Sequence, residues 1–419
     1  MFLLLAVLVA AINGDVINQE SDPIGLVEGD IKLSRSQLAQ LSEPEPESRE
    51  KRQIGRYRLR WPNAIVHYAF DNDTISAKKR DQILAGMTHI STRTCVKFEP
   101  VEDKTLPYIV FIDDGACYGT LGMSDEEIPQ ITSISDGCTA IGNAIHEIMH
   151  SLGIYHTHTR TDRDKYVTVN YEGVQNPFSY EIRDDAYETT PYEYGSTMHY
   201  DFSSFSSAVI VPKQMEYLYT MGIRKPSFYD MVKINNNYEC AMRCEKKLMC
   251  ANGGYTNPSN CSECVCPLGY GGVLCDGVPV NASILEATTS WQNYSLTISG
   301  LPDGQNAVFV EKIAVIKAPE DKTIQVEIAE MKGVYDDYSC WLNGVEIKYL
   351  GDPRIVNPLH CSPANVSLVY TGKLNPMPVV LYKRDGGSTT FGFRYKYLDV
   401  SLSSHKKGTN GYDDYEYYL

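Results

Sequence analysis

The sequence predicts an α+β protein in which a mixed sheet-and-helix region precedes a small cysteine-rich module and a β-sandwich. Three observations predict it. Between residues 53 and 240, short strand-like runs alternate with helical periodicities. Six of the twelve cysteines then crowd between Cys244 and Cys275. From about Val278 to Leu402, apolar and polar residues alternate in short runs, the period of half-buried strands packed as a sandwich.

The elements follow in chain order. Phe2 to Ala11 is an apolar run with small residues from Ala10 to Gly14, too short to span a bilayer and suited to a signal peptide covering residues 1–14. Residues 15–52 are acidic and include Ser42-Glu43-Pro44-Glu45-Pro46-Glu47, which cannot build a core, so this stretch is expected to be an extended pro-segment. It ends in Arg49-Glu50-Lys51-Arg52, a multibasic site for a processing protease that would leave Gln53 as a new terminus. Ile65 to Phe70 and Tyr108 to Ile112 read as strands, and Asp113-Asp114-Gly115 turns the second. Ile75 to Ile90 reads as a helix with Ile83, Met87 and Ile90 on one face, and Ala140 to Leu152 and Pro226 to Asn236 read as further helices. Within residues 277–402, Ser295 to Ile298, Thr323 to Ile328 and Phe391 to Tyr397 carry the strand period, and residues 403–419 are expected to be a disordered tail.

Composition narrows the partners. A net charge of -15 disfavours nucleic acid and anionic membrane surfaces, and no other stretch is apolar enough to anchor the chain. Twelve cysteines behind a signal peptide imply disulfides and an oxidising, extracellular location.

The chemistry sits in His146-Glu147-Ile148-Met149-His150-Ser151-Leu152-Gly153-Ile154-Tyr155-His156. On a helix, His146 and His150 stack one turn apart, so both imidazoles reach one metal while Glu147 projects beside it. Gly153 can take the left-handed conformation that ends the helix, letting the chain bring His156 to the ion as a third ligand. Three neutral imidazoles leave one position for a water acidified toward pKa ~7, with Glu147 placed to take its proton. Five fixed positions at these offsets arise by chance in roughly one such chain in ten thousand or fewer. His158, in a polar run beyond the last ligand, reads as a surface or hydrogen-bonding residue.

This histidine pattern, with Tyr194-Gly195-Ser196-Thr197-Met198-His199-Tyr200 downstream and Thr161-Asp162-Arg163-Asp164 after the third histidine, resembles the astacin family of metzincin zinc endopeptidases. The resemblance implies a two-lobed protease domain over residues 53–240, one Zn2+, Met198 as the apolar floor beneath it and Tyr200 as a switchable ligand that stabilises the oxyanion. It implies Cys95–Cys240 and Cys117–Cys138 disulfides. Val27-Glu28-Gly29-Asp30 is similar to the family's latency motif, in which Asp30 would replace the catalytic water on zinc and Gly29 would let the backbone approach the cleft; the family usually has phenylalanine at the Val27 position. Many members hold the freed N-terminus with a glutamate directly after the third histidine, where this chain has Thr157. Gly222-Ile223-Arg224 is similar to a segment whose arginine favours acidic side chains after the scissile bond.

Residues 241–276 resemble an EGF-like module whose last pair is Cys266–Cys275, and Cys340 and Cys361 resemble the second disulfide pair of a CUB domain. Asn72, Asn281, Asn293 and Asn365 are acceptors for N-glycans. The expected protein is therefore a secreted, latent zinc endopeptidase cutting extracellular or matrix proteins, activated by cleavage at Arg52. The competing class is an inert scaffold that binds partners through its C-terminal modules.

Overall fold

In the computed structural model, the described residues are 26–35, 37 and 60–399, with short breaks at 125, 139, 173, 175, 184–188, 203–208, 302–308 and 335–338. The expected signal peptide, most of the acidic segment, the Arg52 site and the C-terminal tail lie outside them.

The first sheet contains β1 (Ile31–Lys32), β2 (Ile65–Phe70), β3 (Lys97–Pro100), β4 (Ile109–Ile112), β5 (Cys117–Thr120) and β6 (Gln130–Ile134), in the order β1-β5-β6-β4-β2-β3. β3, β2, β4 and β6 run parallel, and β5 is antiparallel to β6. β1, from the acidic segment, adds parallel to β5, pairing Ile31 with Gly119 and Lys32 with Thr120. The segment expected to be extended thus supplies an edge strand.

Two helices pack on this sheet. α1 (Ala77–Ser91) starts at Ser76, whose hydroxyl accepts from Lys79 N, so the helix begins two residues later than apolar spacing predicts. Its Ile83, Met87 and Ile90 face meets Ile145, Ile148 and Met149 of α2 (Ile141–Ser151), together with Val66, Phe111 and Ile134 of the sheet, in one continuous core. Around α2 the backbone packs so closely that only glycine fits. A Cβ on Gly119 would lie 2.5 Å from the Glu147 carbonyl oxygen, and one on Gly142 only 1.9 Å from that of Arg224.

Beyond α2 the chain is irregular, as its loop-rich composition predicts. A short antiparallel pair of β7 (Val167–Val169) and β8 (Ile210–Pro212), joined by a long connection, packs Val167 and Ile210 into a buried tyrosine cluster that includes Tyr180, Tyr192, Tyr194, Tyr200 and Tyr217. α3 (Phe228–Asn237) opens with a capping box between Ser227 and Asp230. Disulfides join Cys95 to Cys240 and Cys117 to Cys138.

The cysteine-rich module holds the hairpin β9 (Tyr255–Thr256) and β10 (Cys264–Val265) and the bridges Cys244–Cys261, Cys250–Cys264 and Cys266–Cys275. Three bridges substitute for the core that so short a segment cannot build. The sandwich follows: β11 (Ser283–Glu286), β12 (Gln292–Leu301), β13 (Val310–Lys317), β14 (Thr323–Lys332), β15 (Asn343–Ile347), β16 (Leu359–His360), β17 (Val369–Thr371), β18 (Met377–Lys383) and β19 (Gly387–Leu398). Its sheets are ordered β11-β13-β18-β15-β16 and β12-β19-β14-β17. Alternate residues such as Val326, Ile328, Val345, Ile347, Val379, Leu381, Phe391 and Phe393 fill the space between them. Cys340 is bonded to Cys361. Among the described residues, no helix is long and apolar enough to cross a membrane.

Substituting Gly142→Ala forces a methyl group against the Arg224 backbone, and we expect a loss of about 1–3 kcal/mol in chemical denaturation of the full chain. A denaturation midpoint equal to the parent's would contradict this packing.

Candidate active site

His146 and His150 project from one face of α2 because they are four residues apart. The helix ends in a Schellman turn: Gly153, at φ 85°, donates from its N–H to the His150 carbonyl, and Ile154 N donates to the Met149 carbonyl. That turn frees the Ile154 carbonyl to accept from His150 Nδ1 at 2.8 Å. His146 Nδ1 donates to the Thr197 carbonyl at 2.7 Å, and His156 Nδ1 to the Glu28 carboxylate at 2.7 Å. With all three Nδ1 atoms donating, each Nε2 of a neutral ring is left with a lone pair for a cation.

Those lone pairs converge. Nε2 of His146 lies 3.1 Å from Nε2 of His150 and 3.2 Å from Nε2 of His156. Asp30 completes the group, with carboxylate oxygens 3.1 Å from His146, 3.5 Å from His150 and 3.2 Å from His156. Acceptors facing acceptors repel unless a cation lies between them. A tetrahedral zinc bound at about 2.0–2.1 Å would place its ligands about 3.3 Å apart, matching this spacing. Against burial, the charges and hydrogen bonds of Asp30 and Glu28 raise His156 to about 9, so without a cation this imidazole takes up a proton, and a metal ion would supply the positive charge in its place.

Glu147, next to the first histidine, is buried, and its Oε2 has no hydrogen-bond partner among the described residues. Burial, then the Asp30 charge, push its carboxyl well above the usual range, while Arg224 pulls the other way. Arg224 is half-buried on the loop that abuts α2. Met198 is fully buried in the main core, and its carbonyl accepts from Thr157 N at 2.8 Å.

Tyr200 hydroxyl donates to the Glu28 carbonyl, and its ring packs 4.6 Å from that of His156. Gly29, at φ 87°, passes so near that a Cβ would sit 2.8 Å from this hydroxyl. Asp30 is held by its own backbone as well, its carbonyl accepting from Gly119 N at 3.0 Å. Val27 is buried with Ile31, Leu33 and Leu121, so valine fills the position where phenylalanine is usual.

His158 is a correction to the surface reading. It is buried, donates from Nε2 to the Ser179 carbonyl at 3.0 Å, and packs 4.3 Å from the Tyr200 ring. Thr157 is also buried, and its hydroxyl has no hydrogen-bond partner among the described residues. Asn72, Asn281 and Asn293 are exposed, and Asn365 is half-buried. Sequence reasoning missed Glu28, whose carboxylate also takes Arg183 Nε at 2.8 Å, and missed the carbonyls of Ile154 and Thr197 that orient two imidazoles. Glu28 had a signal in its place beside Asp30; main-chain carbonyls have none.

A histidine helix under a largely parallel sheet, with three converging imidazoles and an uncommitted glutamate, defines a zinc metalloprotease. Residues 53–239 match the peptidase family described as Astacin. The chain is 42% identical over 431 residues to the zinc metalloproteinase nas-17 of Caenorhabditis elegans, covering 100% of this chain and 98% of that protein. It is 40% identical to nas-16 of the same organism, covering 88% and 86%. Among solved structures it is similar to high choriolytic enzyme 1, a hatching enzyme zinc-protease from Oryzias latipes, with 28% identity, 43% of this chain and 92% of that chain covered, and a TM-score of 0.39. The chain therefore belongs to the astacin family, whose members use zinc, and His146, His150 and His156 form a cluster that could hold one such ion.

Glu28→Ala removes the acceptor for His156 Nδ1, and we expect zinc affinity of the full chain to fall about 10- to 100-fold in chelator competition; an unchanged affinity contradicts the role of that contact. Gly29→Ala should loosen β1, so that the Gly119 and Leu121 amides, bonded to the Asp30 and Lys32 carbonyls, exchange with deuterium about tenfold faster or more, equivalent to ~1.4 kcal/mol. Unaltered exchange would show that the close approach is not required.

Proposed function

We propose that the chain is a secreted zinc endopeptidase, made latent by residues 15–52 and activated by a protease cutting after Arg52, that hydrolyses extracellular or matrix proteins. The observation that carries this reading is the group of three Nε2 lone pairs with Glu147 alongside. We divide the chain into a signal peptide (1–14), pro-segment (15–52), protease domain (53–240), EGF-like module (241–276), CUB-like domain (277–402) and tail (403–419). The first-to-third, second-to-fourth and fifth-to-sixth bridging of residues 244–275 supports the EGF-like assignment. Exposed Asn72, Asn281 and Asn293, and half-buried Asn365, are taken as glycan acceptors. The six disulfides and the absence of free cysteines fit an oxidising compartment.

Latency in this reading has two parts. Asp30 occupies the position of the attacking water among the imidazoles, and Glu28 engages Tyr200 through its carbonyl and His156 through its carboxylate. Removing the segment exposes the β5 edge, where the Gly119 and Leu121 N–H groups become available to an extended substrate backbone.

Zinc, when bound, supplies Lewis acidity toward the scissile carbonyl and the attacking water. Glu147 Oε2, which has no other hydrogen-bond partner among the described residues, takes the water's proton and delivers it to the leaving amine. Tyr200, released from the Glu28 carbonyl, donates its hydroxyl to the developing oxyanion. Met198 closes the floor, and Arg224 favours an acidic side chain just after the scissile bond. Thr157 has no charge to hold a freed N-terminus, so the terminus at Gln53 is not locked by an ion pair at this position.

The test is hydrolysis of quenched peptides by chain processed at Arg52. Glu147→Ala should lower kcat about 10^2- to 10^4-fold while zinc stays bound. Absence of turnover in processed, zinc-loaded parent protein would favour the inert scaffold.

A further inference from the structure

The β-sandwich does not hang from the protease domain. It is built into the lower wall of the zinc site, beginning with Glu193. This side chain is 3% exposed, and its two carboxylate oxygens divide between domains: Oε1 accepts from Gly195 N at 3.0 Å, and Oε2 from Val356 N of the sandwich at 3.1 Å. Gly195 opens the turn that carries Thr197, the carbonyl partner of His146, and Met198. Val356 packs so closely on it that a Cβ at residue 195 would lie 2.5–2.8 Å from three atoms of the valine side chain.

The neighbouring loop is embedded in the same way. Tyr219 carbonyl accepts from Cys340 N at 3.0 Å, and Thr220 Oγ1 accepts from Leu359 N at 2.9 Å. Ile223, adjacent to Arg224, is buried in a cluster with Leu359, Tyr382 and the Cys340–Cys361 disulfide. Lys225 pairs with Glu311 at 2.9 Å. On α3, Tyr229 hydroxyl donates to Asp352 at 3.0 Å, and Ile355 is buried between Tyr229 and Val232.

The surface that makes these contacts is rigid in itself. Lys348, buried and paired with Glu346 at 2.9 Å, also donates to the carbonyls of Ile355 at 2.7 Å and Pro353 at 3.2 Å. Glu346 accepts from Asn357 N at 2.8 Å, and the Asn357 side chain accepts from Tyr349 N and Leu350 N at 3.1 and 3.0 Å. A buried ion pair and a satisfied amide hold residues 353–357 in one shape. On the opposite side, Asp230 fastens the turn by accepting from Thr197 N at 2.9 Å.

We propose that residues 353–357 of the β-sandwich are a positioning element of the protease site, acting through Glu193 on the 194–198 turn and through Ile223 on the loop that carries Arg224. Glu193 and Val356 are positioning residues and touch no reacting atom. The inference rests on the enzymatic reading above only for its activity arm.

The experiment compares full-length, processed parent with Val356→Glu, Glu193→Gln and Val280→Glu, the last altering a side chain 91% exposed. Each is loaded with zinc for kinetics and with Co2+ for visible absorption, which reads ligand geometry directly. We expect Val356→Glu and Glu193→Gln to keep one metal per chain, to lower kcat/KM about 10- to 100-fold chiefly in kcat, and to shift the Co2+ bands, with Val280→Glu matching the parent. Parent-like kinetics and parent-like bands in Glu193→Gln, the milder change, would overturn the proposal even if Val356→Glu fails to fold. If the parent shows no hydrolysis, the enzymatic reading fails, and the Co2+ bands alone decide whether the sandwich positions the site.

Discussion

Three imidazole Nε2 atoms and a carboxylate pointed at one volume demand positive charge between them, and the rest of the catalytic region is organised to hold them there. Each ring is fixed from behind by its Nδ1, to the Ile154 carbonyl, the Thr197 carbonyl and the Glu28 carboxylate. Those three partners come from the end of α2, from the turn before Tyr200 and from the segment preceding the protease domain. A zinc ion held by these rings would couple three otherwise separate pieces of chain, and its binding would contribute to their folding together.

The same logic explains the two glycines nearest the centre. Gly29 permits the segment bearing Asp30 to lie against Tyr200, and Gly153 permits the turn that delivers both His156 and the carbonyl behind His150. In the proposed reading, latency and ligation share parts. Glu28 at once accepts from His156, pairs with Arg183 and takes the Tyr200 hydroxyl on its carbonyl. On the far side, Asp230 grips the 194–198 turn from α3, and Glu193, next to that turn, ties it to Val356 of the sandwich, so the metal centre is braced from below by a domain far away in sequence.

Much of this was legible in the sequence because it is carried by residue types at fixed spacings. The histidine and glutamate positions on α2, the Gly153 stop, the apolar face of Ile83, Met87 and Ile90, and the alternation in β12, β14 and β19 all express local periodicity. What was not legible depends on chain crossings. β1, β3, β5 and β6 are short and take their strand character from pairing, not from pattern. His158 lies in a polar run that suggests exposure, but tertiary packing places it under Tyr200. The contacts of Glu193, Gly195 and Thr220 with the sandwich span well over a hundred residues and leave no local trace.

In the proposed reading, a cation held by three nitrogens and one carboxylate oxygen is the centre on which the latent chain is assembled. Zinc-edge X-ray absorption on the full, unprocessed chain tests this most directly. The ligand geometry predicts one zinc per chain with three nitrogens and one oxygen at about 2.0–2.1 Å. A sulfur-ligated spectrum, an open hydrated ion, or no zinc in correctly folded and unchelated protein would contradict it.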